Sequence, residues 1–459
     1  MKFSNWINRA LLISMIVPAT MMSCSSDNDV LESGNEEVLA PIAETEATTD
    51  TTTTDSTDYI VEAAPASPIG NLADDEVVVN GEAVKVDFWI EPEMVYLKAA
   101  DHQELNKPGL VMAFRPSETP RGRLVMDGWK GTEGEPITIV NKEQVTVASS
   151  EAGKHALWFT GCENIRVMGN GNPKFKYGIH VVESGSSGMS FDQKTTGVEV
   201  AYIEIQNTDF AGILAKTDNA HGWVMRNLHI HHNLIHDTHG EGMYIGQTSV
   251  DKAHAIENLR VHHNLIHDTG WDLFQVANVQ GNVEVYNNTM INGGKEQEPM
   301  QDQGFQIGDW SAGKYYNNVI SNSNSRFLFI KGGHDIEMYN NYFSSSQKAD
   351  AAFLKTEKKY QNGALLNIHD NWFRDYNNEL FWSLITVNQV RIADNKYAPN
   401  NENSEFIVYG NGASEANHEI SGNEKTQLPA IELDGEYNIK SGSYYDGFGL
   451  GYQANDTQN

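Results

Sequence analysis

Leu228-His229-Ile230-His231-His232-Asn233 is one copy of the phrase apolar–x–apolar–x–x–Asn, which decides the fold of this 459-residue chain. Other copies, some of them shorter, end at Asn170, Asn264, Asn288, Asn318, Asn341, Asn371, Asn395 and Asn423. One repeat has Ile203 in the Asn position. The copies recur every 23 to 33 residues. A period of this length, kept over so much of a chain, is typical of a solenoid.

A second phrase follows the Asn positions, with Gly178-Ile179-His180-Val181, Gly212-Ile213-Leu214-Ala215, Gly242-Met243-Tyr244-Ile245 and Gly304-Phe305-Gln306-Ile307 as its copies. Both phrases alternate apolar and polar residues with period two, which indicates strands. We place each Asn at the turn between the two strands, in a left-handed conformation that Asn tolerates. Stacked Asn side chains can also hydrogen-bond along the stack. The pattern predicts an all-β, right-handed parallel β-helix; a β-sandwich with Asn-rich turns would not repeat its Asn in register.

The N-terminal residues have the features of an export signal. Lys2 and Arg9 accompany the apolar run Ala10–Met22, which is too short to span a bilayer. The run ends just before Cys24 and resembles a bacterial lipoprotein signal, so we expect Cys24 to be lipidated; the alternative is an ordinary secretory signal. The following Ser25–Asp29 resembles the export tag of Bacteroidetes-type surface lipoproteins. This resemblance implies an outer-membrane lipoprotein that is displayed at the cell surface.

Charge and composition divide the chain and exclude one class of partner. Acidic residues outnumber basic ones by 62 to 32, and a net charge of −30 disfavours nucleic acid. Much of that excess lies in a Thr-rich stretch that cannot bury enough apolar surface to fold. We expect a monomer with these segments: signal peptide 1–23, disordered acidic stalk 24–80, N-terminal cap and first coil 81–160, β-helix 161–430, and tail 431–459 folding over the far end.

Histidine is concentrated in the middle of the chain, where ten of the 16 lie between His221 and His267. His231 and His262 occupy the same position of successive repeats, so repetition explains them without a ligand. We therefore predict no metal site, and no pattern indicates a cofactor, calcium included. Cys162 has no activating neighbour in the sequence, and we interpret it as a structural thiol.

The alternation also predicts which side chains face outward. One column holds His180, Leu214, Tyr244, Gln275, Gln306 and Leu328, and a second holds Glu183, Thr217, Gln247, Asn278, Asp309 and Lys331. Such a strip offers hydrogen bonds and an aromatic surface to a polysaccharide, although it could also be the wet face of a solenoid. The candidate substrate-binding residues are His180, Tyr244, Gln275, Gln306 and Asp302.

Two kinds of glycan cleavage fit the charged residues beside this strip. Hydrolysis needs two carboxyl groups, and Asp302 and Asp309 flank one strand, with Glu241 and Asp272 on the repeats before it. Elimination from a uronic acid needs a base and a cation near the substrate carboxylate. Each charge could instead be a solvated turn residue. Their convergence makes the catalytic candidates Asp309, Arg326, Lys331 and His334.

Residues 161–346 resemble the bacterial right-handed β-helix repeat proteins of the single-stranded, pectate-lyase-like superfamily. The phrases that carry the resemblance are His232–Thr238, Gly240–Gly246 and His263–Gly270. Asn207-Thr208-Asp209 is similar to the first polygalacturonase motif, but the paired-Asp and Gly-His-Gly motifs that should follow are missing. The resemblance implies a carbohydrate setting and leaves the reaction open. We expect a surface protein that binds and degrades a polysaccharide, as a lyase rather than a hydrolase; the alternative is a non-catalytic glycan-binding or structural protein.

Overall fold

Three long parallel sheets form the body of the protein. The computed structural model describes residues 72–248, 254–347, 350–355, 363–386 and 389–453. We number the sheets 1, 2 and 3 in the order in which each coil visits them. One coil runs through Glu163–Met168, Ile179–Ser184 and Met189–Asp192, and the chain then returns to sheet 1 at Thr196–Ala201. The protein is a right-handed parallel β-helix, as predicted.

The strand bounds follow the coils. Sheet 1 has strands Phe88–Ile90, Val111–Phe114, Ile137–Asn141, Glu163–Met168, Thr196–Ala201, Val224–His231, Ala255–His262, Val279–Tyr286, Ser311–Tyr316, Gly333–Tyr339, Leu365–His369, Gln389–Ala393 and His418–Ser421. Sheet 2 has Val145–Ser149, Ile179–Ser184, Ile203–Thr208, Leu234–Thr238, Leu265–His267, Thr289–Gly293, Val319–Ser323, Tyr342–Ser346, Trp372–Arg374, Lys396–Ala398 and Glu424–Lys425. Sheet 3 has Tyr96–Lys98, Leu124–Asp127, Leu157–Thr160, Met189–Asp192, Ile213–Ala215, Met243–Gly246, Phe274–Ala277, Phe305–Ile307, Leu328–Ile330, Asp350–Leu354, Glu379–Ser383 and Glu405–Tyr409.

The remaining regular elements are short. Glu76–Val79 and Glu82–Lys85 form an antiparallel hairpin, and Ala99–Asp101 and Glu415–Asn417 are single 3-10 turns. No helix within the described ranges has the length and apolar character needed to cross a membrane.

The interior of the coil is apolar because alternate residues of every strand point inward. Its aromatic rings stack between coils, as Phe274 and Phe305 do with centroids 5.1 Å apart. Cys162 lies in this core, fully buried, with its Sγ 3.5 Å from the carbonyl oxygen of Met126. Burial raises the pKa of the thiol to about 12. These observations confirm the interpretation of Cys162 as a structural thiol.

A ladder of Asn side chains holds the corner between sheets 1 and 2. In each case the backbone N–H and the side-chain Nδ2 donate to Oδ1 of the next Asn, at 2.9–3.1 Å. The Nδ2 of Asn318 also donates to the carbonyls of Val285 and Tyr316, both at 2.9 Å. The predicted amide ladder is therefore confirmed for Asn233, Asn264, Asn288, Asn318, Asn341, Asn371, Asn395 and Asn423.

The left-handed residue of this corner precedes the ladder Asn, so the prediction that the Asn itself is left-handed is wrong. The residues with φ between 52° and 57° are His232, His263, Asn287, Asn317, Asn340, Asp370 and Asp394. Each of these residues turns the chain. The Asn that follows can then point its amide into the coil, where it bonds to the neighbouring Asn.

Asn170 was also placed wrongly on the ladder. Sheet 2 pairs Ile203 with Ile179, not with Asn170, because residues 169–178 form an excursion before the sheet 2 strand begins. The Oδ1 of Asn233 accepts the N–H of Ile203 at 3.1 Å, so the hydrogen-bonded ladder starts at Asn233.

The C-terminal tail runs back along sheet 2, which corrects the expectation that it folds over the far end. Its Gly451 N–H donates to the carbonyl of Asn317 at 2.7 Å, and the Tyr452 hydroxyl lies 2.8 Å from that of Tyr177. Trp372 packs against Tyr445 from the tail. Sheet 2 carries such apolar side chains on its outer side, and covering them stabilises the tail in this position.

The N-terminal hairpin lies against the outside of sheet 1, where Val77 packs with Ala113, Val140 and Met168. Ile137–Asn141 opens the first coil that has strands in all three sheets. The expected signal peptide, the lipidation of Cys24 and the acidic stalk up to residue 71 lie outside the described residues.

We predict that Asn318→Ala lowers the free energy of unfolding by about 3 kcal/mol, because it leaves buried donors and acceptors on both neighbouring coils unpaired. The urea midpoint measures this loss. The matched control is Asn367→Ala on sheet 1, outside the ladder. The side chain of Asn367 is half-buried and accepts one hydrogen bond from Arg391. Equal losses in the two variants would contradict a special role for the ladder.

Candidate functional site

One outward column of sheet 3 collects polar side chains from successive coils. Tyr244 pairs with Gln275, and Gln275 pairs with Gln306. Neighbouring coils in such a stack lie about 4.8 Å apart, so these side chains form a continuous row. The predicted alignment of these three residues is confirmed, whereas their role in binding substrate stays a prediction.

His180 does not belong to this column. It lies in sheet 2, where its Nε2 is 2.8 Å from the carbonyl oxygen of Tyr177 and 3.0 Å from Gln144 Nε2. The phrase around His180 has the same alternation as the sheet 3 phrases, so the sequence did not distinguish the two sheets. The structure separates His180 from the other candidate binding residues.

Leu328 was assigned to the outer column by an error of one residue. It pairs with Phe305 in the core, and Phe329 takes the position beside Gln306. Phe327 to Ile330 are all apolar, so no polar residue marks the outer side of this strand. A shift of one residue exchanges the two faces of a strand.

A second row, the corner row, lies where the chain enters sheet 3, and consists of Glu241, Asp272, Gln303, Arg326 and Asp350. Backbone hydrogen bonds between successive coils align its first four residues. Sheet 3 pairing places Asp350 after Arg326 in the same row.

The corner is tightly packed. A Cβ atom on Gly242 would lie 2.3 Å from Ile266 Cγ2 and 2.5 Å from the carbonyl oxygen of Leu273. Glycine is therefore required beside Glu241, because it lets the two coils approach closely and fixes the position of this carboxyl group.

Several oxygens of this region are buried without a hydrogen-bond partner among the described residues: Glu241 Oε2, Asp272 Oδ2, Gln303 Oε1 and Gln306 Oε1. Glu241 is 1% exposed, and Asp272 and Gln303 are fully buried. An unsatisfied buried polar group costs about 1–3 kcal/mol. Native proteins keep such groups where a ligand, water or a reaction uses them.

The buried carboxyl groups favour their protonated forms. Burial raises the pKa of Glu241 to about 7, although the charge of Lys216 opposes the shift. Burial raises the pKa of Asp272 well above its usual range. The N–H of Gln303, which donates to Asp272 Oδ1 at 2.7 Å, opposes that shift, and the negative charges of Glu241 and Asp302 add to it. Protons therefore remain in this cluster at pH values where surface carboxyl groups are ionised.

Asp302 also lies in this acidic group, and its predicted role in binding substrate stays a prediction. It is 4% exposed, and its carboxylate accepts hydrogen bonds from Gln303 Nε2 at 3.0 Å and from Asn324 Nδ2 at 3.4 Å.

The structure separates the four catalytic candidates, with Arg326 where the chain enters sheet 3 and the other three where the chain leaves it. Arg326 lies at the entry, paired with Asp350 and stacked 4.7 Å above the ring of Phe353. Its charge is already neutralised.

The other three candidates, Asp309, Lys331 and His334, lie near the exit, where the chain passes from sheet 3 to sheet 1. His334 contacts Trp310, which follows Asp309, with ring centroids 5.4 Å apart. The charge of Lys331 still reaches Asp272 and lowers its pKa.

From the sequence, Glu241 and Asp272 were recognised only as neighbours of the catalytic candidates, and Gln303, Asp350 and Lys216 were missed. The available signal was positional. Glu241, Asp272 and Gln303 each stand two residues before a sheet 3 strand. A polar residue repeated at that position in three successive coils marks the corner row.

Comparisons with known proteins identify no family. No family model matches the sequence, and neither does any curated protein. An alginate lyase from Paenibacillus sp. str. FPU-7 is similar in structure, with 14% identity and a TM-score of 0.38 over 72% of this chain and 99% of the other.

Two further solved structures are similar at the same level. A GH136 lacto-N-biosidase from Eubacterium ramulus has 11% identity and a TM-score of 0.41, over 72% of this chain and 68% of that one. A mannuronic-acid-specific family 6 polysaccharide lyase from human gut microbiota has 9% identity and a TM-score of 0.40, over 73% of this chain and 80% of that one. Similarity this low carries no argument about residues or activity.

We predict that Glu241→Gln weakens the pH dependence of stability. The pKa of Glu241 is about 7 in the folded state and 4.5 as its usual value. Between these two pH values the folded chain therefore keeps a proton on Glu241 that the unfolded chain has lost. The parent chain therefore loses stability as pH rises from 5 to 8, with Glu241 contributing on the order of 3 kcal/mol. Urea midpoints at both pH values measure the loss, which should be smaller in the variant. Glu298→Gln, at an exposed loop position, is the control, and an unchanged loss in Glu241→Gln would contradict the prediction.

Proposed function

We propose that this protein binds a polysaccharide along the outer side of sheet 3 and hydrolyses a glycosidic bond with Asp272 and Glu241. The observation that carries the proposal is the pair of buried carboxyl groups on adjacent coils. Each has a raised pKa and one oxygen without a hydrogen-bond partner among the described residues. Glycoside hydrolysis commonly uses two carboxyl groups in different protonation states.

The surroundings favour different roles for the two groups. Asp272 has Glu241 and Asp302 as anionic neighbours, so it is the better proton holder and would donate to the leaving glycosidic oxygen. Lys216 favours the ionised form of Glu241, which would attack the anomeric carbon or accept a proton from water. Because the two sites interact, their protons belong to the pair during titration.

The row Tyr244, Gln275 and Gln306 would orient the glycan. Gln306 Oε1 is an open acceptor for a sugar hydroxyl, and the Tyr244 ring adds an apolar surface. The three residues are 7%, 4% and 5% exposed. A glycan must therefore displace neighbouring segments to reach these three residues.

Elimination from a uronic acid is the second candidate, favoured by Lys216 and Lys331 beside the acidic group. Arg326 is paired with Asp350, so neutralising the substrate carboxylate would fall to these lysines. A lyase forms an unsaturated product, whereas a hydrolase forms only new reducing ends.

Incubation with neutral and uronic-acid polysaccharides tests both activities. We expect new reducing ends without absorbance in the unsaturated-uronate band. Asp272→Asn and Glu241→Gln should lower kcat by about 100-fold or more, since the first removes the proton donor and the second removes the nucleophile or base. Glu298→Gln should keep the parent rate.

If absorbance in the unsaturated-uronate band rises, and Lys331→Ala abolishes that rise, the protein is a lyase and the hydrolase proposal is wrong. Glycan retention in affinity electrophoresis, without either product, would leave a non-catalytic binding protein and overturn the enzyme proposal.

We also propose that the protein is anchored at the outer surface of the outer membrane through a lipid on Cys24, which the sequence around Cys24 supports, and that it works as a monomer. In cells, the parent chain should incorporate labelled palmitate and sediment with membranes. Cys24→Ser should do neither, and Cys162→Ser should behave as the parent. Lipid labelling of Cys24→Ser would contradict the anchor.

A further inference from the structure

A second cluster of chemical groups lies on the outer side of sheet 1. One ring nitrogen each of His229, His231 and His262 lies within 4.8 Å of the other two. The Nε2 atoms of His229 and His262 are 2.6 Å apart, and His231 Nε2 lies 3.2 Å from Glu199 Oε1. His231 is buried, and the other two are half-buried.

Repetition of a coil explains only part of this cluster. His231 pairs with His262, so these two occupy one repeat position, as the sequence analysis predicted. His229, however, pairs with Arg260 on the next coil and with Glu199 on the coil before. Duplication therefore does not supply the third imidazole.

Neighbouring histidines hold two of the rings. The Nδ1 atoms of His231 and His232 are 2.8 Å apart, and the Nδ1 atoms of His262 and His263 are separated by the same distance. In metal sites the second ring nitrogen of a ligand is usually hydrogen-bonded to a carboxylate, a carbonyl or water, which orients the first nitrogen and fixes its tautomer. Here a second imidazole takes that place.

A carboxylate also lies beside the three imidazoles. Arg166 pairs with both carboxylate oxygens of Glu199, with Nε 2.6 Å from Oε2 and Nη2 3.1 Å from Oε1. The Oε1 atom of Glu199 also faces His231 Nε2 at 3.2 Å. Imidazole nitrogens with one carboxylate are a donor set that zinc and the neighbouring transition metals prefer.

We propose that His229, His231 and His262 bind one zinc ion, with Glu199 Oε1 beside His231 Nε2 as the fourth ligand. Since His229 and His231 lie on one coil and His262 on the next, the ion would join two coils. This role is independent of the carboxyl pair on sheet 3. It revises the sequence-based expectation of no metal site, which rested on repetition alone.

Calorimetric titration of the untagged full chain, stripped with a chelator, with zinc chloride alone tests the site. We expect about one ion per chain and a higher midpoint of thermal unfolding when zinc is present. His229→Gln and His262→Gln should each weaken binding at least tenfold and abolish the thermal shift. His369→Gln, in the same outer column of sheet 1 and stacked on Tyr339, is the matched control and should bind as the parent.

Arg260→His gives a second, positive test because it adds an imidazole next to His229. It should bind zinc at least as tightly as the parent, and circular dichroism checks the fold of each variant. The absence of stoichiometric binding to the parent chain would overturn the proposal. The proposal would also be overturned if His229→Gln and His262→Gln fold normally and bind zinc with the affinity of the parent chain.

Discussion

The buried Asn ladder sets the register between coils. Parallel strands could slide by two residues and still form backbone hydrogen bonds, but a buried amide has one position in which its donors and acceptor are all paired. Asn318 bonds to Asn288 before it and Asn341 after it, and also to backbone carbonyls. Shifting one coil would break several of these bonds together. The position of every outward side chain depends on this constraint.

The sequence predicted the fold and part of this surface, because a repeat and an alternation of apolar and polar residues can be read directly from the residue types. Tyr244, Gln275 and Gln306 stand between apolar neighbours and were aligned correctly. The apolar run at Phe327–Ile330 has no such marker, and the register there was wrong by one residue. His180 was misplaced for another reason, since sheets 2 and 3 use the same alternation.

The chemistry of the candidate site was less predictable, because it depends on burial and on partners from other coils. Arg326 looked like a free cation in the sequence, yet Asp350, one coil further on, neutralises it. Glu241 and Asp272 looked like ordinary turn carboxyl groups. Burial raises the pKa of both groups, and the negative charges of Glu241 and Asp302 add to the shift of Asp272, which no local pattern reports.

The corner row shows how these effects combine. In one part of the row, oppositely charged side chains on successive coils pair, where Arg326 meets Asp350 of the next coil. Asp272 is followed instead by the neutral Gln303, so its buried carboxyl group has no cation on the next coil of the row. This arrangement destabilises the fold locally, and the hydrogen-bonded ladder on another corner of the same coils offsets it. A solenoid can therefore hold reactive carboxyl groups on sheet 3 and converging imidazoles on sheet 1, since stability and chemistry come from different positions of each repeat.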